Sequence, residues 1–413
     1  MLKSKKYKKF QLYNSIGKEE IKAALKVLNS GKLSNFVASY PQGFNGGKFN
    51  NLFEKKLSKF YKVKHAILLN SWTSGLIAAI GALDINPGDE VIVSPWTMSA
   101  TATAILHWGA IPVFADIEDK TFCINPKKVK QLITRKTKAI ITVDIFGFGS
   151  NIDELKKIIK KKNIKIINDS AQAPYSFNKN KIVGTETDIG GYSLNCHKHI
   201  QTGEGGIIVT NNSNYAERIR LLRNHAEAVV SKKGVKNINN MVGYNFRMGE
   251  IEAAIGIEQL IKLKKIVKKK QMDAKYLIKR LNVLDGLGLP KINDYRAHSF
   301  YTLPMVIDLK KIKFTRKKLC LELKKNGLEG FVEGYTNLHL LPMYQKKIAY
   351  GTKGFPWSTF KSKVNYKKGI CPTAENLHDK TFINFELCKY NLTKANLEFI
   401  SKTFINVWKK INQ

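Results

Sequence analysis

Between residues 65 and 209, short apolar runs alternate with stretches of helical period, and this alternation restricts the fold more than any other feature of the chain. His65-Ala66-Ile67-Leu68-Leu69 reads as a buried strand, and Thr73 to Leu83 as a helix of small and apolar residues. The pattern repeats: strand Glu90 to Val93, helix Thr97 to Trp108, strand Pro112 to Ala115, helix Lys127 to Ile133. It continues with strand Ala139 to Val143, helix Asp153 to Lys162 and strand Ile164 to Ile167, with further strands at Gly191 to Leu194 and Gly206 to Val209. Short connections between such elements predict an α/β fold with a mostly parallel sheet, covered on both faces by helices. Ligands in such sheets bind beyond the carboxyl ends of the strands.

The flanks are simpler. Helices are predicted over residues 17–30 and Phe49 to Tyr61, with a loop over 34–47 between them. A faint likeness to a phosphate loop at Gly43 to Lys48 fails, because Phe49 stands where Ser or Thr is required. Tyr215 to Asn224 reads as a helix, and a long helix starts at Met248 and runs towards Leu284. The rest reads as a smaller α/β unit: strand Ser299 to Ile307, helix Thr315 to Asn326, an irregular stretch over 334–365, and a last helix from Thr393 to Lys409. A chain of 413 residues supports two domains. We place a large domain with an N-terminal arm over residues 1–265 and a small one over 266–413.

Charge and cysteine content exclude several classes. The formal charge is +38, with 70 Lys and Arg. The lysines are spread along the whole chain, and Lys far outnumbers Arg, the better residue for phosphate and base recognition. With no helix-turn-helix, zinc-finger or RNA-binding signature present, the expectation is no nucleic acid; a basic surface can still steer an anionic small molecule. The longest apolar runs are too short to cross a bilayer, and no secretory apolar core follows the basic start. Five scattered cysteines, none in C-x-x-C spacing, predict neither a disulfide framework nor a metal site, and fit a cytoplasmic protein.

Residues able to do chemistry gather at the predicted strand ends. Asn70-Ser71-Trp72-Thr73-Ser74 places hydroxyls at a helix N-terminus, an anion site or a plain N-cap. Ser94-Pro95-Trp96-Thr97 repeats the arrangement, and Trp96 either stacks on a flat ring or fills core. Asp169 ends a buried strand and needs a partner there. Lys198 lies between His197 and His199, ahead of the turn Gly203-Glu204-Gly205-Gly206. A lysine at such a strand end can lose its proton and form a Schiff base. An anion site, a flat neighbour, a carboxylate and an amine are together what pyridoxal 5′-phosphate requires.

Here the sequence resembles the DegT/DnrJ/EryC1/StrS sugar aminotransferases, of the aspartate-aminotransferase fold (pyridoxal-phosphate fold type I). The likeness lies in S-W-T-S-G-L at 71–76, P-G-D-E-V-I-V-S-P-W-T at 87–97 and P-V-F-A-D-I at 112–117. It extends through N-D-S-A-Q-A at 168–173, K-H-I-Q-T-G-E-G-G at 198–206, R-N-H at 223–225 and G-Y-N-F-R-M-G-E at 243–250. The resemblance implies that Lys198 is the Schiff-base lysine and general acid/base, that Asp169 pairs with the pyridinium nitrogen, and that Gln172 lies near the ring hydroxyl. It implies that Trp96 stacks on the ring, that Thr73, Ser74 and Ser193 bind the phosphate, and that Asn245 reaches the phosphate of the neighbouring subunit in a homodimer. His197, His199, Arg247, Tyr335 and His339, with Arg223, His225 and His298, are candidates for substrate contacts.

The implied reaction moves an amino group from L-glutamate to a keto- or aldehydo-sugar in amino-sugar or surface polysaccharide biosynthesis. The sequence departs from the common pattern at His197 and His199, at Pro174 and at Asp144, all near the expected cofactor. The C-H-K-H-I form is similar to a subgroup acting on eight-carbon ulosonic acids rather than nucleotide-linked sugars. Two alternatives stand beside transamination: a sugar dehydratase on the same fold, disfavoured by retention of Lys198, and a cofactor-binding regulator without catalysis.

Overall fold

Six of the seven strands in the large sheet run in one direction, which sets their carboxyl ends along a single edge. In chain order the strands are β1 (His65–Leu69), β2 (Glu90–Val93), β3 (Ile111–Phe114), β4 (Thr137–Val143) and β5 (Lys165–Asp169). A two-strand hairpin of β6 (Phe177–Asn178) and β7 (Lys181–Ile182) follows, then β8 (Ile189–Ser193) and β9 (Gly206–Thr210). The spatial order is β1-β9-β8-β5-β4-β2-β3, and β9 is antiparallel to both of its neighbours. This computed structural model describes residues 10–291 and 293–413; the basic start read from the sequence lies largely outside the described residues.

Helices cover both faces, as the buried strands require. They are α1 (Lys18–Asn29), α2 (Lys48–Tyr61), α3 (Trp72–Ala82), α4 (Ala100–His107), α5 (Pro126–Leu132), α6 (Ile152–Ile159) and α7 (Ser213–Arg223). Nearly all of α3 is buried between the sheet, α4 and α7. Its small residues permit the close approach, and Ser71 caps it by accepting the Ser74 N–H at 3.0 Å. The α4 helix begins at Ala100 rather than at Thr97, so Ser94 to Ser99 forms a turn over the sheet edge.

Helix α8 (Glu250–Leu281) is 32 residues long and passes residue 265, the expected boundary, without a break. Its first half packs on α1 and α2, and its second half enters a separate core. The buried Glu250 carboxylate accepts the N–H groups of Phe49 and Asn50 at 2.8 and 3.2 Å, satisfying the start of α2.

The second core surrounds an antiparallel sheet of β10 (Leu287–Gly288), β11 (Leu303–Ile307), β12 (Phe331–Val332) and β13 (Phe382–Phe385), in the order β10-β11-β13-β12. Helices α9 (Arg316–Lys325) and α12 (Lys394–Asn412) cover it; α10 (Pro342–Gln345) and α11 (Pro372–Asn376) are single turns elsewhere. The strand expected from Ser299 starts only at Leu303, because Phe300 takes a left-handed conformation (φ 53°) that breaks the ladder. The irregular stretch near 334–365 is tied to the large sheet. Leu338 N–H donates to Pro95 at 2.7 Å, and the Tyr366 hydroxyl donates to Pro112 at 2.7 Å.

Arg223, one of the substrate candidates, is instead a core residue. Its guanidinium is fully buried and donates to Glu54 Oε1 at 2.6 Å and to the Leu68 carbonyl at 3.0 Å. Removing one partner strands a buried charge, so Arg223→Met is expected to cost about 3–5 kcal/mol. Denaturant unfolding measures this, and Glu54→Leu combined with Arg223→Met should recover much of the loss.

Candidate active site

The shared edge of the large sheet carries a cavity of about 330 Å³. Three strand ends build it. Ser71 and Thr73 follow β1 and open α3; Asp169 closes β5; Ser193 closes β8. Thr73 and Ser71 place hydroxyls and the positive end of the α3 dipole on the wall, which suits an anion. Ser74 is different: it is buried, its hydroxyl bonds to that of Ser71 at 2.9 Å, and its side chain serves the helix start rather than the wall.

Asp169 is the best-held charge in the cavity. Trp72 Nε1–H donates to its Oδ1 at 2.7 Å, the Ala171 N–H to the same oxygen at 3.2 Å, and the Thr101 hydroxyl to Oδ2 at 3.0 Å. Burial pushes this carboxyl up; those three donors and the Lys198 charge pull it back towards ionisation. The Trp72 donor is possible only because two glycines leave room for its ring. A Cβ at Gly191 would lie 1.9 Å from the ring, and one at Gly75 2.6 Å from it.

Lys198 enters the cavity from a turn whose own backbone closes through Lys198 N–H to Asn195 at 2.9 Å. Asn195 Nδ2–H donates to Glu204 at 2.9 Å, and the Thr202 N–H to Leu194 at 2.9 Å, so the turn is clamped at both ends. Burial lowers the Lys198 ammonium below its ordinary value, opposed by the Asp169 carboxylate. Its Nζ lies 4.6 Å from the centre of the Tyr301 ring. A partly desolvated amine facing a held carboxylate can act as nucleophile and as proton carrier.

Several expected residues line this cavity with it: Gln172, His197 and Tyr335. The Gln172 side-chain Oε1 accepts the Phe146 N–H at 2.7 Å, which orients its Nε2 towards the Tyr335 hydroxyl at 3.4 Å. Trp96 needs correction. It is wholly buried, its Nε1–H donates to the Tyr335 carbonyl at 2.7 Å, and its ring packs against Phe382, Phe146 and Phe122. The exposed apolar side chain at this wall is Met98, 58 % accessible, two residues on. Met98, Trp72, Thr101 and Tyr301 were not singled out from the sequence; an apolar residue exposed just before a helix is the signal that could have found Met98.

The other substrate candidates separate into two groups. His199 and His339 are wholly buried, the first bonded to the Ser299 carbonyl at 2.9 Å and the second to Glu375 at 2.9 Å, and neither lines the cavity. His298 is also buried, stacked on Phe300 with its Nδ1 accepting the Phe300 N–H at 2.9 Å. Arg247 and Asn245 lie outside this chain's cavity. Asn245 is exposed and its carbonyl accepts from Asn70 at 3.4 Å, while the half-buried Arg247 keeps an unpartnered Nε–H. His225 sits beside Glu227 at 3.7 Å. At the departures from the common pattern, Asp144 is buried and accepts the Ser170 hydroxyl at 2.6 Å, and the Pro174 carbonyl accepts from Tyr61 at 3.1 Å.

The sequence model of the DegT/DnrJ/EryC1/StrS aminotransferase family matches residues 14–380. The chain belongs to this family. Among curated members, the spore coat polysaccharide biosynthesis protein SpsC of Bacillus subtilis is 32% identical over 359 residues, 86% of this chain and 88% of that protein. GDP-perosamine synthase of Vibrio cholerae is 34% identical over 303 residues, 72% of this chain and 80% of that protein. The structure of Helicobacter pylori PseC, an aminotransferase involved in the biosynthesis of pseudoaminic acid, superposes with a TM-score of 0.79. It is 28% identical, covering 98% of this chain and 100% of that one. The fold is therefore that of the fold-type-I aminotransferases, and no described helix is long and apolar enough to cross a membrane.

Two neutral histidines beside this site make folding sensitive to acid. Burial pushes both His199 and His298 down to about 3 from 6.5; the cations Lys270 and Lys198 add to this for His199, while its bond to Ser299 acts against it. A depressed folded pKa contributes stability that is present above 6.5 and lost as pH falls towards 3. Asp144, raised by burial to about 6 from 3.8, acts in the opposite sense, losing its contribution as pH rises through 6. Replacing His199 by Gln isolates the first effect. Between pH 6 and 4 the variant should lose stability less steeply than the parent, by about 1.4 kcal/mol per pH unit, measured by denaturant unfolding at each pH.

Proposed function

We propose that this chain is a pyridoxal 5′-phosphate-dependent aminotransferase that moves an amino group from L-glutamate to a keto- or aldehydo-sugar, nucleotide-linked or an ulosonic acid. The observation that carries this reading is the facing of Lys198 and Asp169 in one cavity, with hydroxyls at the α3 N-terminus on the same wall. The donor set fits the cofactor: an anion site, a carboxylate held by three donors, and a desolvated amine. When bound, pyridoxal phosphate supplies an aldehyde that condenses with amines and a ring that accepts the electrons released when a proton leaves the adjoining carbon.

Each residue then has a physical task. Ser71, Thr73 and Ser193, with the α3 dipole, hold the phosphate. Asp169, its oxygens held by three donors that work against the rise from burial, would pair with the ring nitrogen and favour a proton there. Met98 offers a polarisable apolar contact to a flat ring. Lys198 Nζ would take the proton from the α-carbon of the amino donor and pass it to the cofactor's reacting carbon, and in the second half-reaction would carry a proton from that carbon to the acceptor carbon. Gln172 and Tyr335 order part of the same cavity's wall, and His197 and Arg247 are the candidates for contacts to substrate.

A homodimer completes the site in this reading, with Asn245 of each chain serving the neighbouring cavity. Its support is a set of exposed apolar residues: Ile21, Leu25 and Leu28 along α1, with Leu33, Val37 and Tyr40 in the loop that follows and Val242 shortly before Asn245. The name of the SpsC relative supports a place in surface polysaccharide biosynthesis, and that of GDP-perosamine synthase a sugar substrate; we place the enzyme in the cytoplasm.

The purified protein should be yellow, and borohydride should fix the chromophore to Lys198, as peptide mass spectrometry reads. L-glutamate should bleach the colour and yield 2-oxoglutarate, and Lys198→Ala should lower turnover at least about 10²-fold. A colourless protein that cofactor cannot restore overturns the reading, and so does a sugar product that has lost water without gaining nitrogen.

A further inference from the structure

His199 follows the reacting lysine directly and yet does not face the cavity. Its ring is fully buried, and Nε2 lies 2.9 Å from the Ser299 carbonyl. A carbonyl only accepts, so Nε2 carries the proton, and Nδ1 is left as a buried lone pair without a partner. The bond joins segments 100 residues apart. It meets a second bond at the same residue: the His199 carbonyl accepts the Tyr13 hydroxyl at 3.0 Å.

Ser299 begins a strained turn. Phe300 has φ 53°, a conformation that costs a bulky residue on the order of 1–3 kcal/mol and persists only when its surroundings fix it. Those surroundings are explicit. Ser299 N–H donates to Gly147 at 2.9 Å, its hydroxyl to the Gln172 carbonyl at 2.8 Å, and Tyr301 N–H to Phe146 at 3.0 Å. Cys388 N–H donates to the Tyr301 carbonyl at 3.1 Å. The turn holds Tyr301 where its ring lies under Lys198 Nζ. Among these bonds, the one from His199 is the tie to the lysine's own loop.

We infer that His199 is a positioning residue: by holding the Ser299 carbonyl it fixes the 299–301 turn, and so keeps the Tyr301 ring as the floor that shields the Lys198 amine from water. The inference rests on the reading of Lys198 as the reacting amine. It assigns the histidine a task that needs its particular length. Gln places an N–H at a similar distance from the backbone and can replace it. Asn is one methylene short, and Leu has no donor.

The test reads the lysine itself and needs neither cofactor nor substrate. The full-length chain, stripped of carbonyl compounds by hydroxylamine and dialysed, is acylated with acetic anhydride across a pH series. Modification of the Lys198 peptide is followed by mass spectrometry, and far-UV circular dichroism verifies folding. In the parent protein Lys198 should react with a midpoint below that of ordinary lysines. With His199→Asn and His199→Leu the midpoint should rise by about one pH unit as water reaches the amine. His199→Gln should stay close to the parent. Equal midpoints in all four proteins overturn the inference, as does a Gln variant that shifts as far as Asn. If Leu fails to fold, the Asn and Gln pair decides alone. Failure of the cofactor reading would show separately, as a colourless parent protein with an unchanged labelling profile.

Discussion

A carboxylate buried at the end of a strand is tolerable only when its oxygens are occupied, and much of this site follows from how Asp169 meets that demand. Its donors come from the first residue of α3 and the first turn of α4, so one charge ties two helix starts to the edge of β5. The indole that reaches it needs a slot, and Gly75 and Gly191 make one. The facing lysine is then tuned from both sides: burial disfavours its charge, Asp169 favours it. Moving the carboxylate would unsettle the packing of Trp72 and the charge balance of the amine together.

The large sheet was legible because each strand is a short apolar run between helical segments, and buried parallel strands need no other pattern. The small sheet was not. The strands β10 and β12 have two residues each, and β13 is the four-residue run Phe-Ile-Asn-Phe, too short to separate from a buried helix by periodicity. Ser299 to Ile307 looked continuous because a left-handed Phe300 leaves no trace in composition. Such conformations are set by tertiary contacts rather than local preference.

At the site, chemistry was easier to read than direction. Lys198 and Asp169, singled out by type near strand ends, line one cavity. Trp96, singled out in the same way, lies in the core, because an aromatic beside a cavity and an aromatic in the core look alike in sequence. The turn from Ser94 to Ser99 decides between them, and its shape depends on a bridge between Trp96 and Asn337, 241 residues away in the chain. Met98 thereby receives the exposed position. Arg223 and His339 misled for the same reason: polar residues in the core are paired there with Glu54 and Glu375, partners far away in the sequence.

The two histidines around the lysine show how far local sequence can mislead about kind. They are identical residues two positions apart, and one lines the cavity while the other lies in the core. A turn closed by Lys198 N–H to Asn195 sends successive side chains in different directions, so three consecutive residues serve three ends. His197 is left free to meet a ligand, Lys198 meets Asp169 across the cavity, and His199 grips Ser299. Substitution at the first should therefore act on recognition, and at the last on the state of the amine. The burial that hides His199 from substrate also keeps it neutral across the physiological range, which makes it a steady donor and not a pH switch.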